Sequence, residues 1–423
     1  MAKIDDSVKK KVPELRFKGF TDDWEERKLG DLANIVGGGT PSTSNPEYWD
    51  GDIDWYAPAE IGEQSYVSKS KKTITELGLK KSSARILPVG TVLFTSRAGI
   101  GNTAILGKEA TTNQGFQSIV PDQNKLDSYF IYSRTNELKR YGEVTGAGST
   151  FVEVSGKQMS KMSIMIPELS EQQKIGSFFK LLDDTIALHQ RKLDLLKEQK
   201  KGYLQKMFPK NGAKVPELRF AGFADDWEER KLKDISEIID GDRGKNYPSG
   251  DDFKNNGHTL FLSATNVTKQ GFVFKKNQYI TNLKSESLGN GKVKLNDIIL
   301  TSRGSIGHIG FYDEKINEKI PQARINSGML ILRTDKFNSP NFIAQFLKSP
   351  LGIKQIKLIS FGSAQPQLTK KDIKKFKIAL PKIEEQQKIG SLLKQIDNTI
   401  ALHQRKLDLL KEQKKGFLQK MFV

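Results

Sequence analysis

The chain has 423 residues, with 68 Lys plus Arg against 50 Asp plus Glu, four histidines and no cysteine. This composition excludes a disulfide scaffold, a thiol nucleophile and a cysteine zinc site, and it leaves too few histidines for a histidine-rich metal site. The net charge of +18 suits a polyanionic partner, because neutralised phosphates release condensed counterions, although a lysine-rich organism would produce the same surplus.

No membrane segment or secretory signal is expected. The chain contains no apolar run near the roughly 20 residues that span a bilayer, and its first residues are charged. The default expectation is therefore a soluble cytoplasmic protein.

Two segments occur twice, while the sequences between them differ. Residues 12–17 return as 215–220, and each copy is followed by Asp-Asp-Trp-Glu-Glu-Arg-Lys-Leu. Residues 171–208 and 385–422 differ at six of 38 positions. A period of about 200 residues indicates duplication of a whole domain, since solenoid repeats have periods of roughly 20–50 residues. Nearly identical repeats around two different bodies predict two equivalent docking sites for a partner. The different bodies predict that two different targets are recognised.

The first body is predicted to be α+β. Strands are expected at 91–97 and 163–167, the second one stopped by proline, with a helix over 127–141. A polar, Gly-rich loop at 37–44 belongs to this body alone, and loops on a rigid scaffold commonly carry binding. Plain surface turns would look the same. The candidate contact residues in this loop are Gly38, Gly39, Thr40, Ser42 and Thr43.

The long repeats are predicted to be helices that form a coiled coil. Apolar residues recur every seven positions, with a second set offset by three, which favours a coiled coil over a surface helix. Each helix leaves one body and arrives at the other, so paired helices must run antiparallel and make the chain pseudo-twofold and pseudo-circular. The two histidines in these helices, His189 and His403, are interpreted as residues of the coiled-coil seam rather than as metal or substrate ligands. The seam is predicted to contain Leu182, Ile186, His189, Leu193, Leu196, Ile396, Ile400, His403, Leu407 and Leu410.

The second body is also predicted to be α+β. Strands are expected at 298–303 and 376–381, with a helix at 340–347 that begins on proline. Polar loops found only in this body are its candidate reading surface, with the same reservation about ordinary turns. The candidates are Asp242, Arg243, Lys245, Asn246, Tyr247 and Asn266.

A Thr-Ser-Arg-x-x-Ile-Gly loop occurs in both bodies, at 95–101 and 301–307. Such a loop can aim backbone N–H groups and an arginine at a phosphate or a guanine edge. Because both bodies keep it while their specificities should differ, we interpret it as structural or backbone-contacting rather than base-reading. Its candidate residues are Ser96, Arg97, Ser302 and Arg303.

The sequence contains no recognisable catalytic motif. The Walker phosphate-loop pattern is absent. Asn45-Pro46-Glu47-Tyr48 lacks the second proline of the adenine methyltransferase motif, and no Gly-rich cofactor strand precedes it. The sequence alone leaves a Ser-His-Asp triad open, but it predicts no catalytic residue and no metal site.

Several features taken together match one family. They are the order body, helix, body, helix; Gly38-Gly39-Thr40-Pro41-Ser42 followed by Trp49 and Trp55; Gly241-Asp242-Arg243-Gly244 with Tyr247-Pro248; both Thr-Ser-Arg loops; and Pro-x-x-x-Glu-Gln-Gln-Lys-Ile at Pro167 and Pro381. On these residues the whole chain resembles the specificity subunit of bacterial type I restriction-modification enzymes.

The resemblance implies two target recognition domains, at 12–167 and 215–381, and two conserved coiled-coil helices, at 168–208 and 382–423. Each domain would read one half of a bipartite, asymmetric site on double-stranded DNA. The paired helices would set the gap and dock two methyltransferase subunits that methylate adenine N6.

The resemblance also implies where the chemistry lies. This chain would be non-catalytic and hold no cofactor. S-adenosylmethionine would belong to the methyltransferase, and ATP and Mg to two restriction/motor subunits of the full complex. The chain would work on DNA in the bacterial cytoplasm.

Two alternatives stay open. An autonomous DNA enzyme would need a metal-binding carboxylate cluster and activity of the purified chain. A coiled-coil scaffold that does not touch DNA would show no salt-dependent DNA binding and no difference between its two bodies.

Overall fold

The computed structural model describes residues 12–62, 64–97, 99–147, 153–210, 212–360 and 366–423. Contacts divide the chain into two compact units, Met1–Gln190 with Arg405–Val423 and Arg191–Gln404. The division cuts both long helices. Each unit therefore holds one body together with one end of each helix.

The two predicted long helices are present, at Leu169–Lys206 and Ile383–Lys420, with 38 residues each. At 1.5 Å per residue each is about 57 Å long. Every predicted seam residue is buried or half-buried, and Leu193 and Leu407 are almost fully buried. No helix among the described residues is long and apolar enough to cross a membrane.

In the first unit the two helix ends run antiparallel. Lys414 Nζ lies 2.5 Å from a carboxylate oxygen of Asp183. Toward the beginning of the first helix, the ring of Phe178 lies 5.0 Å from that of Phe417, further along the second helix. Residue numbers thus fall on one helix as they rise on the other, as predicted for the pairing.

The second unit makes the same contact from equivalent residues. Lys200 Nζ lies 2.5 Å from Asp397 Oδ1, and these residues correspond in the repeat to Lys414 and Asp183. Tyr203 and Leu204 pack on the core cluster that contains Leu393, so the helices again run antiparallel. The predicted antiparallel arrangement is confirmed within each unit.

A buried ion pair ties the first short repeat to the start of a long helix. The guanidinium of Arg16 donates to both carboxylate oxygens of Glu171, at 2.8 and 2.7 Å, and Glu171 is fully buried. The hydrogen bonds and the charge of Glu171 raise the pKa of Arg16. The Leu15 N–H donates to the Lys420 carbonyl oxygen at 2.8 Å, so this repeat also meets the end of the second helix.

The second unit repeats this joint, by which we mean the place where a short repeat meets the start of one long helix and the end of the other. Arg219 donates to both carboxylate oxygens of Glu385, at 2.7 and 2.8 Å. The Leu218 N–H donates to the Lys206 carbonyl oxygen at 2.9 Å. The segment that begins at residue 215 therefore contacts the end of the first helix in the same way that the segment from residue 12 contacts the end of the second helix. This is the predicted pseudo-circular relation.

The glutamine next to each buried glutamate joins the helix to its body. Gln172 Oε1 accepts from the Asp127 N–H at 3.1 Å, and its amide donates to the Pro167 carbonyl at 3.0 Å. In the second unit Gln386 accepts from the Ser339 N–H at 2.9 Å and donates to the Pro381 carbonyl at 2.9 Å. These buried bonds give a physical reason for the repeated Pro-x-x-x-Glu-Gln.

The first body combines three sheets with short helices. Its strands, in sheet order, are Glu25–Lys28 and Ser163–Ile166; then Ala33–Gly37, Gln117–Pro121, Val92–Phe94, Thr103–Leu106 and Tyr66–Val67; then Lys72–Ile74, Trp49–Tyr56 and Thr111–Thr112. Its helices are Leu29–Leu32, Pro46–Tyr48, Pro58–Glu60, Glu76–Lys80, Ser128–Ser133, Thr135–Gly146 and Gly156–Ser160. The single helix predicted over 127–141 is two helices, interrupted at Arg134, where ψ is 18°.

The second body follows the same plan. Its strands, in sheet order, are Glu228–Lys231 and Lys377–Leu380; Ser236–Asp240, Met329–Thr334, Ile298–Thr301 and Ile309–Phe311; Tyr279–Ile280, Thr259–Leu262 and Ala323–Ile325; and Val267–Thr268 and Gly271–Phe272. Its helices are Leu232–Asp234, Gly250–Asp252, Ala264–Asn266, Asn282–Glu286, Glu314–Lys319, Pro340–Lys348, Pro350–Ser360 and Lys370–Ile373. The predicted α+β class is confirmed for both bodies.

Candidate nucleic-acid interface

In each body the three-stranded sheet ends in an Asn-x-Gly turn. Asn113 follows the strand Thr111–Thr112, and its side-chain oxygen accepts from the Gly115 N–H at 2.7 Å. Asn326 follows Ala323–Ile325 and accepts from the Gly328 N–H at 3.0 Å. Sequence analysis missed this element, although an Asn two residues before a Gly at a strand end is a recognised signal for a side-chain-closed turn.

The Thr-Ser-Arg loop packs against this turn in both bodies. The Ser96 N–H donates to the Gly115 carbonyl at 2.8 Å, and the Ser302 N–H donates to the Gly328 carbonyl at 2.8 Å. Both serine side chains are buried. Ser96 and Ser302 thus hold the loop through their backbone N–H groups, and their contact with DNA stays a prediction.

The threonine of each loop holds its curve. Thr95 Oγ1 donates to the Gly99 carbonyl at 2.7 Å and accepts from the Asn102 N–H at 2.9 Å. Thr301 Oγ1 makes the equivalent bonds, to the Ser305 carbonyl and from the His308 N–H. The repeated motif is thus explained by local hydrogen bonding, in line with the structural interpretation.

The arginines are the remaining predicted DNA contacts in the two Thr-Ser-Arg loops. Arg97 is half-buried beside the Asn113 turn. Arg303 is exposed, and its Nε donates to the Gln367 side-chain oxygen at 3.1 Å. Each arginine stays a candidate for contacting phosphate.

The glycines of the first reading loop permit close packing on the turn. A Cβ at Gly38 would lie 1.9 Å from the Asn113 carbonyl oxygen. The Gly39 N–H donates to the Thr112 carbonyl at 2.8 Å, and its own carbonyl accepts from the Trp55 ring N–H at 2.8 Å. Gly38 and Gly39 therefore position the loop through its backbone.

Polar side chains follow these glycines. The Thr40 hydroxyl donates to the side chain of Gln114, which sequence analysis did not single out. Ser42 Oγ lies 2.8 Å from Ser44 Oγ, and both Ser42 and Thr43 are exposed. Loop 37–44 thus presents hydroxyls beside the amide of Gln114, groups of the kind that hydrogen-bond with base edges.

The polar loop 240–247 of the second body, its candidate reading loop, packs on the Asn326 turn in the same way but carries different side chains. A Cβ at Gly241 would lie 2.1 Å from the Asn326 carbonyl oxygen, as at Gly38. The Arg243 guanidinium donates to the Ser327 carbonyl at 3.1 Å. Asp242 accepts from the Gly244 N–H at 2.5 Å and from the Gly289 N–H at 2.6 Å, and these backbone bonds, the one from Gly244 above all, lower the pKa of Asp242 although desolvation opposes them.

The remaining candidates of this loop differ in exposure. Lys245 and Asn246 are exposed, and the Asn246 amide donates to the Ser287 carbonyl at 2.9 Å. The Tyr247 ring packs edge-on against Phe261 at 5.7 Å between centroids. Tyr247 therefore partly supports the loop by packing on Phe261, while Lys245 is exposed on the same loop.

Asn266, another predicted reading residue, lies buried within a turn, and its contact with DNA stays a prediction. Its side chain is 2% exposed. Its oxygen accepts from the Ser263 N–H at 3.0 Å, and its amide donates to the carbonyls of Val273 at 3.3 Å and Lys276 at 3.1 Å. It closes the turn before the hairpin Val267–Thr268 and Gly271–Phe272 and offers little to a ligand.

The long helices present a second candidate surface. Leucines spaced by seven residues are exposed on each helix, away from the predicted seam positions: Leu181, Leu188 and Leu195 on the first, Leu402 and Leu409 on the second. A heptad row of exposed leucines is the pattern with which a helix binds another helix. Within the described residues, no cluster of three or more His, Asp or Glu side chains could hold a metal ion.

Comparison with known proteins identifies similar chains. A family model described as a type I restriction modification DNA specificity domain matches residues 21–198 and again 224–412. The type I restriction enzyme MjaIX specificity subunit of Methanocaldococcus jannaschii is 28% identical over 417 residues, covering 94% of this chain and 92% of that protein. The EcoR124I/EcoR124II specificity subunit of Escherichia coli is 30% identical over 169 residues, covering 38% of this chain and 41% of that protein.

A solved structure supports the same fold. The crystal structure of a type I restriction-modification system S subunit from M. genitalium superposes with a TM-score of 0.65 at 15% identity, covering 97% of this chain and 99% of that one. At this identity the likeness concerns the fold.

Proposed function

The chain belongs to the family of type I restriction-modification DNA specificity domains, and from that premise we propose that each of its bodies reads one half of a bipartite, asymmetric DNA target. As a specificity subunit it recognises DNA sequence within such a system and is not one of the system's enzymes. The predicted family resemblance is confirmed.

The observation that carries the proposal is one scaffold with two sets of side chains. The Asn-x-Gly turn, the Thr-Ser-Arg loop and a close-packed glycine recur in both bodies, at Gly38 and Gly241. Around them the first body presents hydroxyls and amides, and the second presents Arg243, Lys245 and Asn246. Different donors and acceptors on one backbone are what two different half-sites require.

We assign the long helices to spacing and docking. Their buried seam would hold the gap between half-sites. Their exposed leucine rows would each bind a helix of one methyltransferase subunit, so that two copies dock on one chain. These subunits would bring S-adenosylmethionine and methylate adenine N6. Two restriction/motor subunits with ATP and Mg would complete the enzyme in the bacterial cytoplasm, while this chain holds no cofactor.

Body exchange tests the half-site assignment. The chain would be co-expressed with its methyltransferase, and methylated adenines would be mapped across the host genome. Replacing residues 236–380 by the second body of another family member should change one half of the methylated motif and leave the other unchanged. Methylation at the old sites should fall by at least about a thousandfold, which is the ratio between specific and nonspecific DNA affinity. A change in both halves, or in neither, contradicts separate reading.

Helix docking has its own test. Leu188→Glu combined with Leu402→Glu should abolish co-purification of the methyltransferase, because a buried unpaired charge opposes the apolar contact. Val144→Glu, at an equally exposed apolar position in the first body, is the matched control and should leave the complex intact. Full co-purification of the double variant would show that the leucine rows are not the docking surface.

A further inference from the structure

A short helix presents a leucine to solvent at the same place in both bodies. Leu77, in Glu76–Lys80, is 42% exposed, and Leu283, in Asn282–Glu286, is 84% exposed. Each helix follows the antiparallel edge strand of the three-stranded sheet. Each begins on a threonine cap, Thr75 accepting from the Gly78 N–H at 3.0 Å and Thr281 from the Lys284 N–H at 3.1 Å.

In the first body this helix is bonded to the short helix Pro46–Tyr48, which follows loop 37–44. The Thr75 N–H donates to the Tyr48 carbonyl at 3.0 Å, and its hydroxyl donates to the Glu47 carbonyl at 2.8 Å. After the helix the chain returns to the glycines, since a Cβ at Gly39 would lie 2.3 Å from the Ala84 nitrogen. Leu77 is therefore carried on a segment that is bonded at one end to residues 47–48, just after loop 37–44, and packs at the other end on Gly39 of that loop.

The second body uses different contacts for the same purpose. The Ser287 carbonyl, just after the helix, accepts from the Asn246 amide at 2.9 Å. The Gly289 N–H donates to Asp242 at 2.6 Å. Leu283 is thus held beside the charged loop as Leu77 is held beside the hydroxyl-rich one.

The neighbouring leucines show that the exposure is not forced by a missing core. Leu79 packs on the cluster of Trp55 and Ile74, and Leu288 is buried with Phe261. In the first body a leucine of the helix itself, and in the second a leucine two residues after the helix, packs inward while Leu77 and Leu283 stay exposed. Single exposed leucines are ordinary, but two at one position beside two candidate reading loops form a repeated feature.

We propose that Leu77 and Leu283 are specificity-determining residues that make apolar contacts with base pairs of their respective half-sites. The inference rests on the proposed function and extends it from polar to apolar reading. DNA offers two apolar features to such a side chain. One is the thymine methyl group in the major groove, and the other is the base-pair face opened when a side chain wedges into a step.

Binding measurements on the assembled methyltransferase complex test the leucines. The dissociation constant for a duplex with the mapped motif and for a scrambled duplex would be measured at one salt concentration, for wild type, Leu77→Ala and Leu283→Ala. Each variant should lose about fivefold or more on the motif duplex, the smaller end of a single mismatch, and less than about twofold on the scrambled one. Val144→Ala, 74% exposed on another helix, should match wild type on both.

Half-site duplexes refine the result. A mismatch in the half read by the second body should cost Leu283→Ala less than wild type, while mismatches in the other half cost both equally. Replacing thymine by uracil in that half should weaken wild type but not the variant if a methyl group is contacted. A wedge should instead give a 2-aminopurine fluorescence rise that the variant lacks.

Several results would overturn the inference. They are unchanged motif affinity in both variants, an equal loss on motif and scrambled duplexes, or the absence of both the uracil and the fluorescence effects. A wild-type complex with no preference for any motif would instead overturn the proposed function, so the two failures are distinguishable.

Discussion

The two bodies place different side chains on the same backbone. In the first, the loop after Gly38 offers hydroxyls, and Thr40 bonds to the side chain of Gln114 in the turn. In the second, the loop after Gly241 offers charges, and Arg243 bonds to the backbone at Ser327. The shared parts are held by main-chain bonds together with the repeated threonines, asparagines and close-packed glycines, so none of them depends on the exposed side chains that differ. Recognition can therefore diverge without disturbing the scaffold.

The joints show the opposite behaviour. There the side chains themselves are repeated, because they are buried and charged: Arg16 with Glu171, and Arg219 with Glu385. A buried ion pair accepts few substitutions, since either partner alone is an uncompensated charge. Divergence in the bodies and identity at the joints thus follow from exposure and burial.

The largest effect is expected from breaking one joint. Glu171→Gln keeps the shape but leaves Arg16 without its charge partner, and it should cost about 3–5 kcal/mol of unfolding free energy. Glu385→Gln should cost the same within about 1 kcal/mol, because the two geometries agree within 0.1 Å. Denaturant unfolding would measure both.

An exposed pair provides the control for that comparison. Glu198→Gln removes an ion pair with Lys201 whose partners are largely exposed, so it should change unfolding free energy by less than about 0.5 kcal/mol. A large difference between Glu171→Gln and Glu385→Gln would break the equivalence of the two joints.

A smaller effect is expected at the loop arginines. If Arg97 and Arg303 contact phosphate, alanine variants should weaken binding to motif and scrambled duplexes alike, by roughly tenfold, and lower the salt slope by about 0.9 each. Arg243→Ala should instead lose affinity mainly on the motif duplex, by about 1–3 kcal/mol. Motif-selective loss at Arg97 or Arg303 would reverse the assignment of these shared loops to the backbone.

The sequence predicted the repeated helices and joints of this molecule, but it predicted its candidate DNA-binding surface only in outline. A heptad pattern over Leu169–Lys206 is local, so the helix and its buried Leu193 could be predicted. The turn partner of Gly38 lies at Asn113, far along the chain, and only strand pairing brings them together. Burial of Ser96 is likewise set by distant neighbours, so its motif could not be told from a ligand loop.

A still smaller difference should appear with pH. The backbone bonds that lower the pKa of Asp242 stabilise its loop only while the carboxylate is charged. That stabilisation is full above the ordinary aspartate pKa of about 3.9 and is lost as pH falls through the lower folded value. Amide resonances of Gly244 and Gly289 should therefore move below pH 4, while Gly39 in the uncharged loop 37–44 stays constant. Asp242→Asn should remove the dependence, and a shift that persists in this variant would assign it to another group.

The smallest effect is expected from moving the chain ends from one joint to the other. Phe208 is followed by six residues, 209–214, that lead to Val215, whereas Phe422 and Val12 hold equivalent places without a covalent link. The Leu15 and Leu218 bonds to the helix ends differ by 0.1 Å, so both joints are already closed by the same contacts. A permuted chain that starts at Val215 and joins Phe422 to Val12 through a copy of 209–214 should unfold within about 1 kcal/mol of wild type, because no buried backbone is cut. It should also direct the methyltransferase to the same motif. A loss of several kcal/mol, or a new motif, would mean that the covalent joint does something that its noncovalent counterpart does not.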